Sequence, residues 1–426
     1  MVSENQEVTK QRYLGKSNQR HFRSLCLLLS KMAAIYTILV LFLAVFVAGF
    51  ILLIMAAMNF DFSNSEIPPG MNQPVKLRII HIILICIAVV VSVRTLGADQ
   101  KLFIKDLCFG KVPVRIYQPK APSSSQRRGV MFFHGGGWTL GSVGKITNTH
   151  ENLCRSLARE SDSVVVSVGY RLAPEHKYPA AYEDCLNATI HFMRNTEHYG
   201  VDPARISVCG DSAGGNLAAA VSQTLAGRSD LPKLRAQILI YPHLQALDFN
   251  LPSYQQNQGV PLLFRERAAF FALQYLNGDT SHMEEVLEGS HIPIDIKLNY
   301  KKWVSPDNIP EKFKARGYKP YVLLDCPTVV YETMKRFCEP NLCPLLAEDA
   351  VIQQLPESFI LTCEFDVLRD DGLLYKKRLE DNGVRVTWYH LEDGFHGIMN
   401  FSNSDWMSFS SGERGLNNIV NFLKSL

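Results

Sequence analysis

Few folds can accommodate the stretch from Ile206 to Val221. The apolar run Ile206-Ser207-Val208-Cys209 leads directly into Gly210-Asp211-Ser212-Ala213-Gly214, and Asn216-Leu217-Ala218-Ala219-Ala220-Val221 continues with the pattern of a helix. A strand that becomes a helix within five residues must turn sharply, and such a turn holds its central residue in a strained backbone conformation. Glycine at 210 and 214 removes the side chains that would collide there. The expected result is a Ser212 hydroxyl standing clear of the end of a sheet. Alone, G-x-S-x-G is a weak pattern: at ordinary Gly and Ser frequencies a chain this long contains one by accident about one time in ten.

Its company carries more weight. Upstream, Phe132-Phe133-His134-Gly135-Gly136-Gly137-Trp138 sets a glycine triplet after an apolar strand. Such a loop can bring backbone N–H donors up to an oxygen that gains negative charge. The competing reading, a phosphate loop, wants a Lys-Ser/Thr pair that does not follow here. Downstream come Glu364-Phe365-Asp366-Val367-Leu368 and then Asp393-Gly394-Phe395-His396-Gly397. A serine hydroxyl is a poor nucleophile at neutral pH and needs a base within hydrogen-bonding distance. His396, on a glycine-flanked loop after the strand pattern Val384 to His390, is the candidate base. Asp366, just past a strand pattern, is the candidate acid that orients the imidazole and stabilises its charged form. Asp370 and Asp371 are nearby rivals, read here as an N-cap or a solvated first helical turn. The amides of Ala213, Gly136 and Gly137 are the candidate oxyanion donors. His134 is read as a brace for the glycine loop, and Gly135, Gly210, Asp211 and Gly214 complete the two turns.

Together, HGGGW, the segment Tyr170-Arg171-Leu172-Ala173-Pro174-Glu175, GDSAGGN, Asp366-Val367-Leu368-Arg369-Asp370 and DGFHG resemble the hormone-sensitive-lipase group of α/β-hydrolases. Within it they are most similar to the arylacetamide deacetylase-like membrane esterases, from about Val112 to the C-terminus. The resemblance implies an α/β-hydrolase fold with a helical cap. It also implies hydrolysis of carboxylic esters, with arylacetamides or lipid esters as candidate substrates, through a serine acyl-enzyme. The implied partners are a lipophilic small-molecule ester or amide and membrane lipid, with no cofactor and no metal. Some relatives carry a cysteine directly after HGGGW that can bond the cysteine of the T-C-x-[FY]-D segment; here Thr139 stands first, so Cys363 is expected to be a free thiol. The alternative reading is a non-catalytic binding protein on a hydrolase fold, a class that usually lacks one of the three catalytic side chains; this chain retains all three.

The 44 Lys and Arg against 41 Asp and Glu leave a net charge of +3, and no basic stripe that would suit a nucleic acid occurs beyond the N-terminus. Ten cysteines in 426 residues make no disulfide scaffold and show no zinc spacing, although Cys338 and Cys343 could pair in an oxidising compartment. Residues 1–31 form a basic segment. Residues 32–58 include an uncharged run from Ala33 to Met58 that would extend about 39 Å as a helix, beyond the ~30 Å of a bilayer core, and read as a transmembrane signal anchor. The basic flank ahead of it predicts a cytosolic N-terminus, and hence a single-pass type II protein with its catalytic domain across the membrane. The resemblance to the membrane esterases implies that this membrane is the endoplasmic reticulum and that the domain is lumenal. A shorter apolar segment, Ile79 to Val93, falls in the linker and cap region 59–101 and is read as a helix lying on or dipping into the membrane. If it spanned instead, the catalytic domain would be cytosolic. The sequons at Asn187 and Asn400 report on that choice.

Residues 102–426 read as the catalytic domain. Short strands alternate with helices: strands at Val112–Tyr117, Val130–Phe133, Val164–Tyr170, Gln237–Tyr241 and Phe359–Cys363, and helices at Asn148–Glu160 and Ala180–Tyr199. This alternation predicts a mainly parallel sheet with helices on both faces. Residues 242–356 are too long for a simple loop and are read as a cap insertion with a helix at Phe264 to Leu276; Trp303 to Tyr318 shows no clear period.

Overall fold

A computed structural model describes residues 31–56, 58–59, 74–90, 99–123, 125–141, 150–402 and 408–426. They fall in two compact units, one within residues 1–60 and the other within 61–426. In the first, Lys31–Ala56 is a 26-residue helix with mean hydropathy 3.3 and no buried side chains, long and apolar enough to cross a membrane. The expected basic segment lies outside the described residues, apart from Lys31.

The second unit is built on one eight-stranded sheet: β1 (Leu102–Phe109), β2 (Val112–Pro119), β3 (Arg127–Phe133), β4 (Ser163–Val168), β5 (Val201–Asp211), β6 (Ala236–Ile240), β7 (Glu357–Phe365) and β8 (Val386–Phe395). The spatial order is β1-β2-β4-β3-β5-β6-β7-β8. β2 pairs antiparallel with β1 and β4, and every pair from β4 to β8 is parallel. The central strands are apolar without alternation because both faces are covered. Met131 and Phe133 of β3 enter one core, with the helices Ala180–Arg194 and Ala213–Ala226. Val130 and Phe132 enter the other, with Glu151–Ser161 and Ser410–Ser425. Several boundaries shift by a few residues from the sequence reading. The expected helix to Tyr199 ends at Arg194, and a 3₁₀ turn covers Thr196–Tyr199.

The 242–356 insertion folds as short helices, the longest at Arg265–Leu276, with 3₁₀ turns at Pro306–Asn308 and Glu311–Phe313 in the stretch that showed no period. The linker region contains a helix over Pro74–Val90. Its Leu77, Ile80 and His81 are buried, His81 stacks edge-on against Phe264 at 5.6 Å, and Lys76 donates to the Ser408 carbonyl. Val75 and Ile79 on the same helix are exposed.

Candidate active site

Four of the parallel strands converge at their carboxyl ends, the edge where open α/β sheets place ligand sites. β5 ends at Asp211, immediately before Ser212; β7 ends at Phe365, before Asp366; β8 ends at Phe395, before His396; and β3 ends at Phe133, before the glycine loop. Parallel register brings together residues separated by more than 180 positions in the chain.

Ser212 has φ +57° and ψ −121°, a conformation that side chains rarely adopt, and it serves as N-cap of the helix that begins at Ala213. The turn tolerates no side chain beside it. A Cβ on Gly210 would lie 2.2 Å from the Gly214 carbonyl oxygen, and one on Gly214 would lie 1.9 Å from that of Phe133. The strain is held by main-chain bonds: Ser212 N–H donates to the Ile240 carbonyl at 2.9 Å, and the Ser212 carbonyl accepts from Asn216 N–H at 3.1 Å.

Ser212 Oγ lies 2.9 Å from His396 Nε2, and His396 Nδ1 lies 2.8 Å from Asp366 Oδ2. Asp366 Oδ1 accepts from Leu368 N–H at 2.9 Å, so each carboxylate oxygen has a task. Asp366 is 1% exposed, whereas Ser212 and His396 are 9% and 8% exposed. The acid is sealed while the other two reach the cleft. Asn257 Nδ2 donates to the Asp366 carbonyl at 2.9 Å, and the Tyr241 ring sits 4.9 Å from the His396 ring.

The glycine loop follows β3 with left-handed backbone at Gly136 (φ +115°), Gly137 (φ +60°) and Trp138 (φ +57°). Asp211 ties it to the elbow, accepting from Gly135 N–H at 2.8 Å and from His150 Nε2 at 3.1 Å. Burial pushes the Asp211 carboxyl up, but His150 and the Gly135 N–H outweigh it and hold it below the ordinary carboxylate range. His134 stacks on Tyr170 at 4.3 Å, and burial pushes its imidazole down to about 4, which suits a neutral brace. His150 was missed by sequence reasoning: no glycine or strand pattern marks it. The helix Ala213–Ala226 opens with the Ala213 N–H, whose capping position leaves it outside the helical bond pattern.

Asp370 and Asp371 are not solvated, as the sequence reading had them. Both are fully buried. Asp370 accepts from Ser253 N–H at 2.7 Å and pairs with the buried Arg369 at 2.9 Å; Asp371 accepts from Leu244 N–H at 2.9 Å. They anchor the insertion to the acid-bearing turn. Cys363 is a buried free thiol, and Cys338 and Cys343 are free as well. Asn187 is exposed on its helix, whereas Asn400 is half-buried. Among the described residues no group of three or more His, Cys, Asp or Glu side chains is arranged to hold a metal ion.

This sheet, with a strained serine at the end of a central strand, is that of an α/β hydrolase. A family model described as alpha/beta hydrolase fold matches residues 130–290 and 323–400. Human arylacetamide deacetylase-like 4 is 44% identical over 93% of this chain and all of its own length. Rat arylacetamide deacetylase is 42% identical over 71% of this chain and 76% of its own. A hyperthermophilic esterase from the archaeon Pyrobaculum calidifontis superposes with a TM-score of 0.57 at 28% identity, covering 83% of this chain and 92% of its own. The chain belongs to the arylacetamide deacetylase family of α/β hydrolases, hydrolases of the carboxylesterase and deacetylase type.

Proposed function

We propose that this protein is a membrane-anchored serine hydrolase that cleaves carboxylic esters, and arylacetamides or lipid esters among them, with Ser212 as nucleophile, His396 as base and Asp366 as the orienting acid. One observation carries the reading: the continuous line of hydrogen bonds from Ser212 Oγ through His396 to Asp366. Ser212 Oγ adds to the substrate carbonyl carbon as its proton passes to His396 Nε2. The carbonyl oxygen becomes an oxyanion facing the amides of Gly136, Gly137 and Ala213. Collapse breaks the bond to the alcohol or amine, which leaves with the proton from His396. Water then adds to the acyl carbon, giving its proton to His396; the acid departs and the proton returns to Ser212 Oγ. Asp366 stays ionised and stabilises the imidazolium in both halves.

The domain limits at 31, 58 and 101 and the cap at 242–356 are part of the same proposal, as is a type II orientation in the endoplasmic reticulum with the catalytic domain in the lumen. The helix Pro74–Val90 supports an interfacial rather than a spanning second segment. Leu77, Ile80 and His81 pack on protein, while Val75 and Ile79 offer apolar side chains outward; the part of the segment beyond Val90 lies outside the described residues. Substrate dissolved in the bilayer would then reach the active site directly.

The test uses the full chain in microsomes. A fluorophosphonate probe should label the wild type and not Ser212→Ala, and acyl esters and acetanilides should be turned over by the first alone. Hydrolysis that survives Ser212→Ala in the purified protein would overturn the proposal.

A further inference from the structure

Behind the serine turn lies a small cavity whose lining includes Trp138, Asn216, His243, Phe337, Leu342 and Cys343, with about 10 Å³ open to the centre of a water-sized sphere. Such a space takes one non-hydrogen atom, too little for even an acetyl group. It is nevertheless polar. Trp138 Nε1, Asn216 Oδ1 and His243 Nε2 are buried and have no hydrogen-bond partner among the described residues, and their side chains are all more than nine-tenths buried. Native proteins seldom leave three such atoms unmatched in one place.

Each of the three has a defined role. Trp138 Nε1 can only donate. Asn216 Nδ2 already donates to the carbonyls of His243 at 2.9 Å and Leu342 at 2.8 Å, which fixes the amide orientation and makes Oδ1 an acceptor. His243 is neutral at physiological pH, because burial pushes it down to about 4, and its other ring nitrogen engages the Gln245 backbone. That leaves Nε2 as an acceptor. The site therefore asks for one acceptor and two donors on a single atom. A carbonyl has no donor, a hydroxyl has one, and a cation would face the indole N–H. Water satisfies all three.

We propose that this cavity binds one water molecule that accepts from Trp138 and donates to Asn216 and His243, and that this water holds the glycine loop against the nucleophile turn. Trp138 directly follows Gly137, and Asn216 lies one helical turn beyond Ser212, with its N–H bonded to the Ser212 carbonyl. His243 N–H reaches the same carbonyl at 3.3 Å. The water thus links the loop that carries two proposed oxyanion donors to the turn that carries the serine. Trp138, Asn216 and His243 are positioning residues; the kinetic half of this inference rests on the proposed function, and the binding half does not.

The test combines a crystal structure of the full chain in detergent with kinetics of Trp138→Phe, which keeps an aromatic ring at the position stacked 4.6 Å from Tyr275 and removes the indole N–H together with part of the buried ring volume. One ordered water within about 3 Å of all three atoms is expected. An unoccupied cavity, or a water that meets only one of them, would overturn the inference. For a short acyl ester, Trp138→Phe should lower kcat about tenfold with KM changed less than about twofold, and should weaken a trifluoromethyl ketone that mimics the tetrahedral intermediate by the same factor. Unchanged kcat in a variant that has lost the water would refute the coupling. A wild type that neither hydrolyses esters nor reacts with fluorophosphonate would refute the proposed function, leaving the crystallographic result to decide the water.

Discussion

Gly137→Ala separates two obstacles that the structure places around the glycine loop. A Cβ at Gly137 would lie 2.3 Å from Cγ of Phe271, whereas one at Gly136 would lie 2.4 Å from the backbone oxygen of Leu140. Ordinary contact needs at least 3.4 Å, so the Phe271 ring must retreat by about 1 Å or the loop must shift by as much. A shift of that size takes an N–H donor off the oxyanion, and losing one donor costs about 10²–10³ in kcat, or about 2.7–4 kcal/mol. Gly137→Ala should therefore lower kcat about a hundredfold, with KM changed less than about threefold. Adding Phe271→Ala removes the colliding ring and leaves only the left-handed backbone at φ +60°, a cost of about 1–2 kcal/mol for alanine. The double variant should recover to within about 5–30-fold of Phe271→Ala alone. Gly136→Ala should not be rescued in this way, because main chain cannot be trimmed. Steady-state kinetics on a short acyl ester reads the wild type and all five variants. If Gly137→Ala keeps near-normal kcat, or if Phe271→Ala rescues both glycine variants equally, the assignment of this loop as a donor platform held in place by the insertion is wrong.

Further outcomes follow from the same geometry. Ser212→Gly should melt at least about 2 °C above Ser212→Ala, because glycine alone relieves the φ +57°, ψ −121° backbone; equal midpoints by scanning calorimetry would argue against stored strain. Asp366→Asn keeps an oxygen for Leu368 N–H but loses the charge beside His396, and should cut kcat about 10⁴-fold; a loss under tenfold would remove Asp366 from the mechanism. His134, His243 and His291 are each pushed by burial down to about 4, below the 6.5 of a free imidazole. Between those values the unfolded chain takes up protons that the fold refuses. Stability should therefore be fully present above pH 6.5 and fall toward pH 4, by up to about 3 kcal/mol per histidine. Urea midpoints that stay level from pH 7 to 5, or a slope unchanged in His291→Asn, would contradict this. For a lumenal catalytic domain, a glycosidase-sensitive mobility shift lost in Asn187→Gln or Asn400→Gln is expected. Both sequon hydroxyls are engaged in the fold, Thr189 with the Cys185 carbonyl and Ser402 with the Met399 carbonyl, so the glycan would be added before folding, and a shift that survives both substitutions would contradict glycosylation at these sites.

The elements that line the cleft were legible in the sequence because their chemistry demands particular residues. Gly210, Gly214, Gly136 and Gly137 each stand where main chain, a ring or a left-handed angle excludes any other side chain. Their spacing can be read without a structure. The supports of the site were not legible, because they are made by residues distant in sequence and ordinary in context. Asp370 and Asp371 look like a polar first turn until Ser253 and Leu244, more than a hundred residues earlier, close over them. His150 and His243 have no flanking pattern. β1 was missed for a different reason: only Leu102 and Phe109, at its ends, are buried, so no alternation marks it. The 3₁₀ turns between Pro306 and Phe313 are three residues each, too short for any period to develop.

The strand order distributes the three principal groups unequally. Ser212 leaves β5, which has a neighbour on either side, whereas His396 leaves β8, which lies at the margin of the sheet and is bonded to β7 alone. Margins fray before centres. On mild warming the imidazole should drift out of reach while the alcohol-bearing turn is still intact, so turnover should vanish at a lower temperature than the helical circular dichroism does, and should return on cooling.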